Sequence, residues 1–240
     1  MDGPTAQPDP VAATGGAGMP PGSTSPPDDL PGIAGLLMQS RRTVLPKRLA
    51  APGPDPFQLQ QLLQAAATAP DHGQLRPWRL VLVPQEARGQ LADAFAQALQ
   101  QRDPAATLQQ MEQAREKAYR APLLLLLVVD SGCGDPEVDL NERLVSAGCA
   151  LQNMLMMATA QGLGSALTSG KALKSEPLRA LFALAAQDHA VCFISIGSAQ
   201  SRGARRVRPE PRDLVSTLEA DNNTLAPDAA RPGSGAAPPG

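Results

Sequence analysis

The chain has 240 residues, with 21 Lys and Arg against 23 Asp and Glu and a formal net charge of −2. That balance offers no global positive field for nucleic acid or an anionic membrane surface. The three cysteines, odd in number and without a C-x-x-C pair, exclude a disulfide framework or a cysteine zinc site and fit a reducing cytoplasm.

Residues 1–31 consist mainly of Pro, Gly, Ala, Ser, Thr and Asp, with no Lys or Arg. Such a segment cannot bury enough surface to offset its ordering entropy, so a disordered tail is expected. It has neither the basic and apolar regions of a secretory signal nor the arginines of a transit peptide. Ile33 to Gln39 reads as a short helix. In R-R-T-V-L-P-K-R-L, the cations Arg41, Arg42, Lys47 and Arg48 surround a proline that stops helix. Phe57 to Thr68 carries Leu59, Leu62, Leu63, Ala66 and Ala67 at helical spacing.

The next stretch, A-P-D-H-G-Q-L-R-P-W from Ala69 to Trp78, holds one of two histidines and the only tryptophan. Pro70 and Pro77 disfavour helix before them, and Gly73 admits backbone conformations that other residues avoid. A stiff polar loop between core elements suits either a ligand site or a surface connector.

Trp78 to Val83 is expected as a strand, Gln85 to Gln101 as a helix, and a second, polar helix runs to about Tyr119 as an exposed face or lid. Leu123 to Asp130 is a strand. Its apolar run, Leu123 to Val129, has seven residues, far short of the roughly twenty that span a membrane. Glu137 to Gln161 is the longest helix. Its second half is apolar almost all round, which requires burial on every side, either centrally or at a subunit interface. Met154, Met156 and Met157 read as core filler, and Gly162 as the C-cap.

Leu163 to Thr168 is a strand. Pro177 to Leu184 is a short helix with Ser175 as N-cap. Ala190 to Ile196 is the clearest strand, closed by Gly197 and Ser198. The arginine- and proline-rich run that follows is an extended arm, and 221–240 a second disordered tail. A single domain over 32–220 is left, with interleaved helices and few strands.

The usual catalytic signatures are missing. There is no G-x-S-x-G elbow, no H-E-x-x-H and no Cys/His cluster, and the G-L-G-S-A-L run follows a helix rather than a strand. Arg41, Arg42 and Thr43 are good equipment for a phosphate, or else a solvated basic turn. Arg202, Arg205, Arg206 and Arg208 read in the same two ways.

Taken in order, R-R-T, P-x-R-L, A-P-D-H-x-x-x-x-P-W-R, S-A-G-C-A-L-Q-N-M-L-M-M-A, Q-G-L-G-S-A-L-T-S-G and F-I-S-I-G resemble the nitroreductase family of FMN-dependent oxidoreductases, in its small single-domain branch. The resemblance covers roughly Ile33 to Thr217. It implies an α+β sandwich, a mixed and mainly antiparallel sheet surrounded by helices, in an intertwined homodimer with FMN at the interface. It also implies NADH or NADPH as donor and nitroaromatic, quinone or similar small-molecule acceptors, with ping-pong hydride transfer through flavin N5.

Carried over residue by residue, Arg41, Arg42 and Thr43 hold the FMN phosphate and ribityl end. Thr68 and His72 reach the flavin of the other subunit, His72 with Asp71 as local support. Leu167, Thr168 and Ser169 lie by the ring. Met157, Ala158, Thr159, Ala160, Gln161 and Gly162 match a nicotinamide-nucleotide stretch. No catalytic side chain and no metal are implied, because the chemistry is the flavin's. The sequence departs from the pattern at Leu167–Thr168, where Trp-Arg is common, at Arg76 in place of Gln, at Ser198, and by two extra residues between Thr43 and Arg48. Other flavin chemistry, dehalogenation or substrate dehydrogenation, is a second reading. A nucleic-acid-binding basic arm is a third; the flavin readings expect no nucleic acid and no membrane as partners.

Overall fold

The structure is a computed structural model that describes residues 29–201, 207–218 and the backbone of 225–227. The two expected tails therefore lie outside the described residues, apart from 29–31 and 225–227, as do Arg202, Arg205 and Arg206 of the arm. Contacts divide the chain at Gln39. The first unit contributes one described element, helix α1 (Leu30–Ser40), in which no residue is buried. It begins before the expected Ile33 and takes in Leu30 and Pro31, which the sequence reading assigned to the tail.

The second unit is built on strands β1 (Leu49–Ala50), β2 (Trp78–Leu82), β3 (Leu123–Asp130), β4 (Gly164–Thr168) and β5 (Asp188–Ala199). β5 is central. β3 pairs along it from Leu123↔Ile196 to Asp130↔Asp188, and β4 pairs from Gly164↔Gly197 to Thr168↔Phe193. Ile194 is matched to both Leu125 and Leu167, so β3 and β4 occupy opposite edges. β2 adds to β3, and β1 to the end of β5. All these ladders are antiparallel; an isolated bridge between Thr43 and Ser165 is parallel. β5 does not stop at Ile196 as expected, because β1 and Pro52 supply further partners, Ser198 donating its N–H to the Pro52 carbonyl at 3.1 Å.

Every residue from Leu123 to Val129 is buried, as a strand covered on both faces must be. Alternate side chains point to opposite faces. Leu123, Leu125, Leu127 and Val129 pack with helices α2 (Pro56–Ala67) and α5 (Leu140–Ala160). Leu124, Leu126 and Val128 pack with α3 (Arg88–Arg102) and α6 (Glu176–Leu181). Helix α4 (Leu108–Glu116) buries only Ala114, in line with its polar sequence.

Local chemistry sets the helix starts. Asp55 accepts the Gln58 N–H at 2.7 Å while the Gln58 amide accepts the Asp55 N–H at 3.0 Å, a reciprocal cap for α2. Thr107 and Gln110 repeat the device on α4. Asp139 caps α5 through the Glu142 N–H at 3.0 Å. Ser175 is the N-cap residue of α6, as expected, but its hydroxyl makes no capping bond and instead donates to the Ala172 carbonyl at 2.6 Å. In the arm, β6 (Ser216–Leu218) pairs with the backbone of β7 (Leu225–Pro227), within a stretch expected to be extended arm and tail.

Candidate active site

A cleft of about 660 Å³ opens between α3, α4 and the turn that follows β4. It lies on the α3 face of the sheet, with Leu124, Phe95 and Phe193 among its apolar walls. The Phe95 and Phe193 rings meet edge to face at 5.6 Å. Thr168 and Ser169, from the end of β4, line the same cleft, as does Pro46. Leu167 does not; it is 40% exposed and alternates to the other face. The far wall is cationic, with Arg102, Lys117, Arg120 and Lys171 against a single carboxylate, Glu116. The volume and the mixture of apolar and polar walls are those of a small-molecule site.

The segment carrying Arg41, Arg42 and Thr43 runs alongside β4. Val44 donates its N–H to the Ser165 carbonyl at 2.9 Å. Gly164 makes this approach possible, since a Cβ there would meet Leu49 at 2.8 Å and Val44 at 3.1 Å. Arg208 of the arm joins the segment, its guanidinium donating to the Arg41 carbonyl at 3.1 Å. Burial, and secondarily the charge of Arg208, press the Arg41 pKa below its ordinary value. Among the described residues neither arginine is paired with a carboxylate. With Arg208 anchored on the Arg41 backbone and close enough for its charge to act on the Arg41 guanidinium, this donor set fits a multivalent anion such as the phosphate of FMN.

Thr68 and His72 stand elsewhere, on the α5 side of the sheet. Asn153 donates to the Thr68 hydroxyl at 3.1 Å, His72 Nδ1 lies 2.8 Å from the Glu142 carboxylate, and the Trp78 indole donates to Ser146 at 3.1 Å. Glu142, Ser146 and Asn153 are four and seven positions apart, so they form one stripe along α5. The loop is thus fastened to the helix at both ends and in the middle. Glu142, by hydrogen bond and by charge, raises the pKa of His72 above its ordinary value.

Asp71 makes no hydrogen bond to His72 and supports its protonated form only weakly, through charge. Its carboxylate accepts the Arg76 N–H at 2.7 Å and closes the loop on itself. That closure holds Gly73, Gln74 and Arg76 at φ of +62°, +54° and +51°. For Gln74 and Arg76 this is a strained conformation.

Met157 to Gly162 forms the last turn of α5 and the turn beyond it. Ala158 is fully buried. Gln161 donates to the Gln58 carbonyl at 3.2 Å and to the Gln61 amide oxygen at 3.0 Å, so this segment is bound to α2. It precedes β4, whereas Thr168 ends it; none of the six lines the cleft. A single chain therefore gathers Arg41 to Thr43 around β4, with Thr168 and Ser169 at its end. It holds Thr68 and His72 on the other side of the sheet.

Sequence reasoning missed Arg208 as a partner of Arg41, and it missed the α4 wall. The polar composition of α4 was visible as exposure, but no motif marks it as the side of a cleft.

The profile of the nitroreductase family matches residues 38–198. An Escherichia coli K12 protein named "Putative NAD(P)H nitroreductase YdjA" is 34% identical over 184 residues, covering 75% of this chain and 96% of that protein. Among solved structures, a nitroreductase-like family protein from Bacillus cereus superposes with a TM-score of 0.66 at 19% identity, over 77% of this chain and 95% of that one. The NADPH:FMN oxidoreductase of Vibrio harveyi, solved with NAD+, gives a TM-score of 0.58 at 16% identity, over 77% of this chain and 76% of that one. With the sheet, the arginine segment beside β4 and the cleft at its end in place, the chain belongs to the nitroreductase family.

Proposed function

We propose that this oxidoreductase binds FMN and uses NAD(P)H to reduce nitroaromatic, quinone or similar acceptors. The observation that carries the reading is the Arg41–Arg208 pair beside β4, next to a cleft of small-molecule size. FMN, when bound, would supply two-electron redox chemistry between NAD(P)H and the acceptor. Arg41, Arg42 and Arg208 would neutralise its phosphate, and the Thr43 hydroxyl would offer a hydrogen bond beside them. Thr168 and Ser169, at the end of β4, would hold its ring portion. Phe95, Leu124 and Phe193 keep water from the cleft wall.

The same reading makes the chain a homodimer. Leu144 and Val145 on α5 are exposed in the single chain, Val145 by 66%. Covering that face with a second copy would bring Thr68 and His72 toward the partner's flavin, while the apolar second half of α5 buries Leu151, Met154, Leu155 and Ala158 within the chain itself. For the nicotinamide nucleotide, the cleft is the better-supported place than Met157 to Gly162, whose polar side chain Gln161 is engaged with α2.

The test is the pigment. The purified protein carries flavin or takes up added FMN, and NADH or NADPH bleaches it without oxygen. Arg41→Ala removes a charge-assisted contact of about 1.5–3 kcal/mol, so FMN affinity falls about ten- to a hundredfold. A colourless chain that ignores FMN overturns the proposal.

A further inference from the structure

The cleft holds more positive charge than FMN requires on the reading above, and the inference rests on that reading. Four cations and one carboxylate line the cleft, in a chain whose overall charge is −2. They come from three separate places. Arg102 ends α3, Lys117 and Arg120 follow α4, and Lys171 follows β4. Among the described residues none of the four forms an ion pair. The arginines of neighbouring surfaces do find partners, Arg79 with Asp188 and Arg115 with Asp93.

The phosphate cradle at Arg41 and Arg208 does not line this cleft. The cofactor's charge is therefore met elsewhere, and the cleft cations remain for whatever enters after it. Unpaired cations converging on a concave, partly apolar site focus field into it and raise the local concentration of anions.

We infer that Arg102, at the end of α3, and Lys171, in the turn after β4, form an anion-recognising subsite in the cleft for the second occupant, so that the enzyme favours a reactant carrying an extra phosphate or carboxylate over its uncharged counterpart. The anion comes from one of two sources. It is the 2′-phosphate that distinguishes NADPH from NADH, or it is a carboxylate on an aromatic acceptor.

The experiment compares the wild type with Arg102→Gln/Lys171→Gln. Two ratios of kcat/KM are measured: NADPH to NADH with one neutral nitroarene, and 4-nitrobenzoate to nitrobenzene with one donor. Loss of two partly exposed charge contacts lowers the affected ratio about three- to tenfold, and raising the salt concentration lowers it in the wild type alone. A fall in the first ratio assigns the subsite to the donor's phosphate; a fall in the second assigns it to the acceptor's carboxylate. Both ratios staying within twofold of wild type, while bound flavin stays at wild-type content, overturns the subsite and leaves the flavoenzyme reading intact. Absence of flavin and of turnover in the wild type overturns the flavoenzyme reading itself, and the subsite with it.

Discussion

His72 and Glu142, seventy positions apart, meet at 2.8 Å where the A-P-D-H loop crosses the start of α5. The carboxylate favours the protonated imidazole and raises its pKa. A raised histidine pKa contributes stability that is fully present below the unfolded value of about 6.5 and is lost as pH rises through the folded value. NMR titration therefore places His72 above 6.5 in the wild type and returns it toward 6.5 in Glu142→Gln. The stability difference between the two proteins is larger at pH 6 than at pH 8.5. Both groups are exposed, so added salt shrinks the shift. A His72 that titrates identically in the two proteins breaks the link between loop and helix.

The loop is held from the other side by Leu75. Gly134 has φ +66°, and a Cβ there would strike the Leu75 side chain. Gly134→Ala thus combines a left-handed backbone with a collision, at a cost of about 1–3 kcal/mol. It also loosens the contact between the 130–138 segment and the loop. That segment is otherwise pinned by Arg143, a buried side chain that donates to the carbonyls of Val138, Cys133 and Asp135 at 2.7–2.9 Å. Hydrogen exchange at residues 71–76 then quickens while β3 stays protected. Equal protection of the loop in both proteins would show that Leu75 does not anchor it.

Much of this arrangement was legible in the sequence because it rests on local patterns. The seven-residue apolar run at Leu123 fits a strand buried on both faces, and Pro70 and Pro77 keep the loop out of α-helix, leaving one 3-10 turn at His72–Gln74. The family resemblance singled out R-R-T and Thr168–Ser169, and the structure places Thr43 beside β4 and the pair in the cleft wall. What could not be read depends on contacts between distant positions. The hydrogen-bond partner of His72 lies seventy residues away, whereas the adjacent Asp71, the expected support, acts on it only weakly through charge. The wall made by α4 has no motif, because a cleft wall needs only polar side chains on an exposed helix. β5 outruns its apolar core since β1, not hydrophobicity, pairs its last residues.

Two-faced burial of β3 makes a sharp expectation. Leu125 packs toward α5 and Leu126 toward α3, with exposures of 2% and 0%. If both layers are equally dry, Leu125→Ala and Leu126→Ala each cost about 2–5 kcal/mol. Urea unfolding with unchanged slope would measure this. A sheet solvated on one face would instead give one large loss and one near zero.

Arg79 and Asp188 tie the far ends of β2 and β5 through two hydrogen bonds of 2.9 and 2.8 Å. Asp188 is almost fully buried, while the Arg79 side chain is 46% exposed. The guanidinium, followed by the Ala185 N–H, holds the Asp188 carboxyl below the usual carboxylate range. A depressed carboxylate pKa contributes stability that is present above the unfolded value of about 3.9 and disappears as pH falls through the folded value. Asp188→Asn keeps the shape but loses the charge, and it leaves Arg79 free to hydrate. Because that arginine is half exposed, the loss is about 1–3 kcal/mol at pH 7 rather than the larger cost of stranding a buried charge. Urea unfolding at pH 7 and at pH 3 separates the electrostatic part from the packing part. The two proteins differ at pH 7, and the gap narrows as pH falls below about 3.9, where the unfolded carboxyl protonates before the folded one. An undiminished gap at pH 3 would assign the effect to packing of the side chain rather than to its charge.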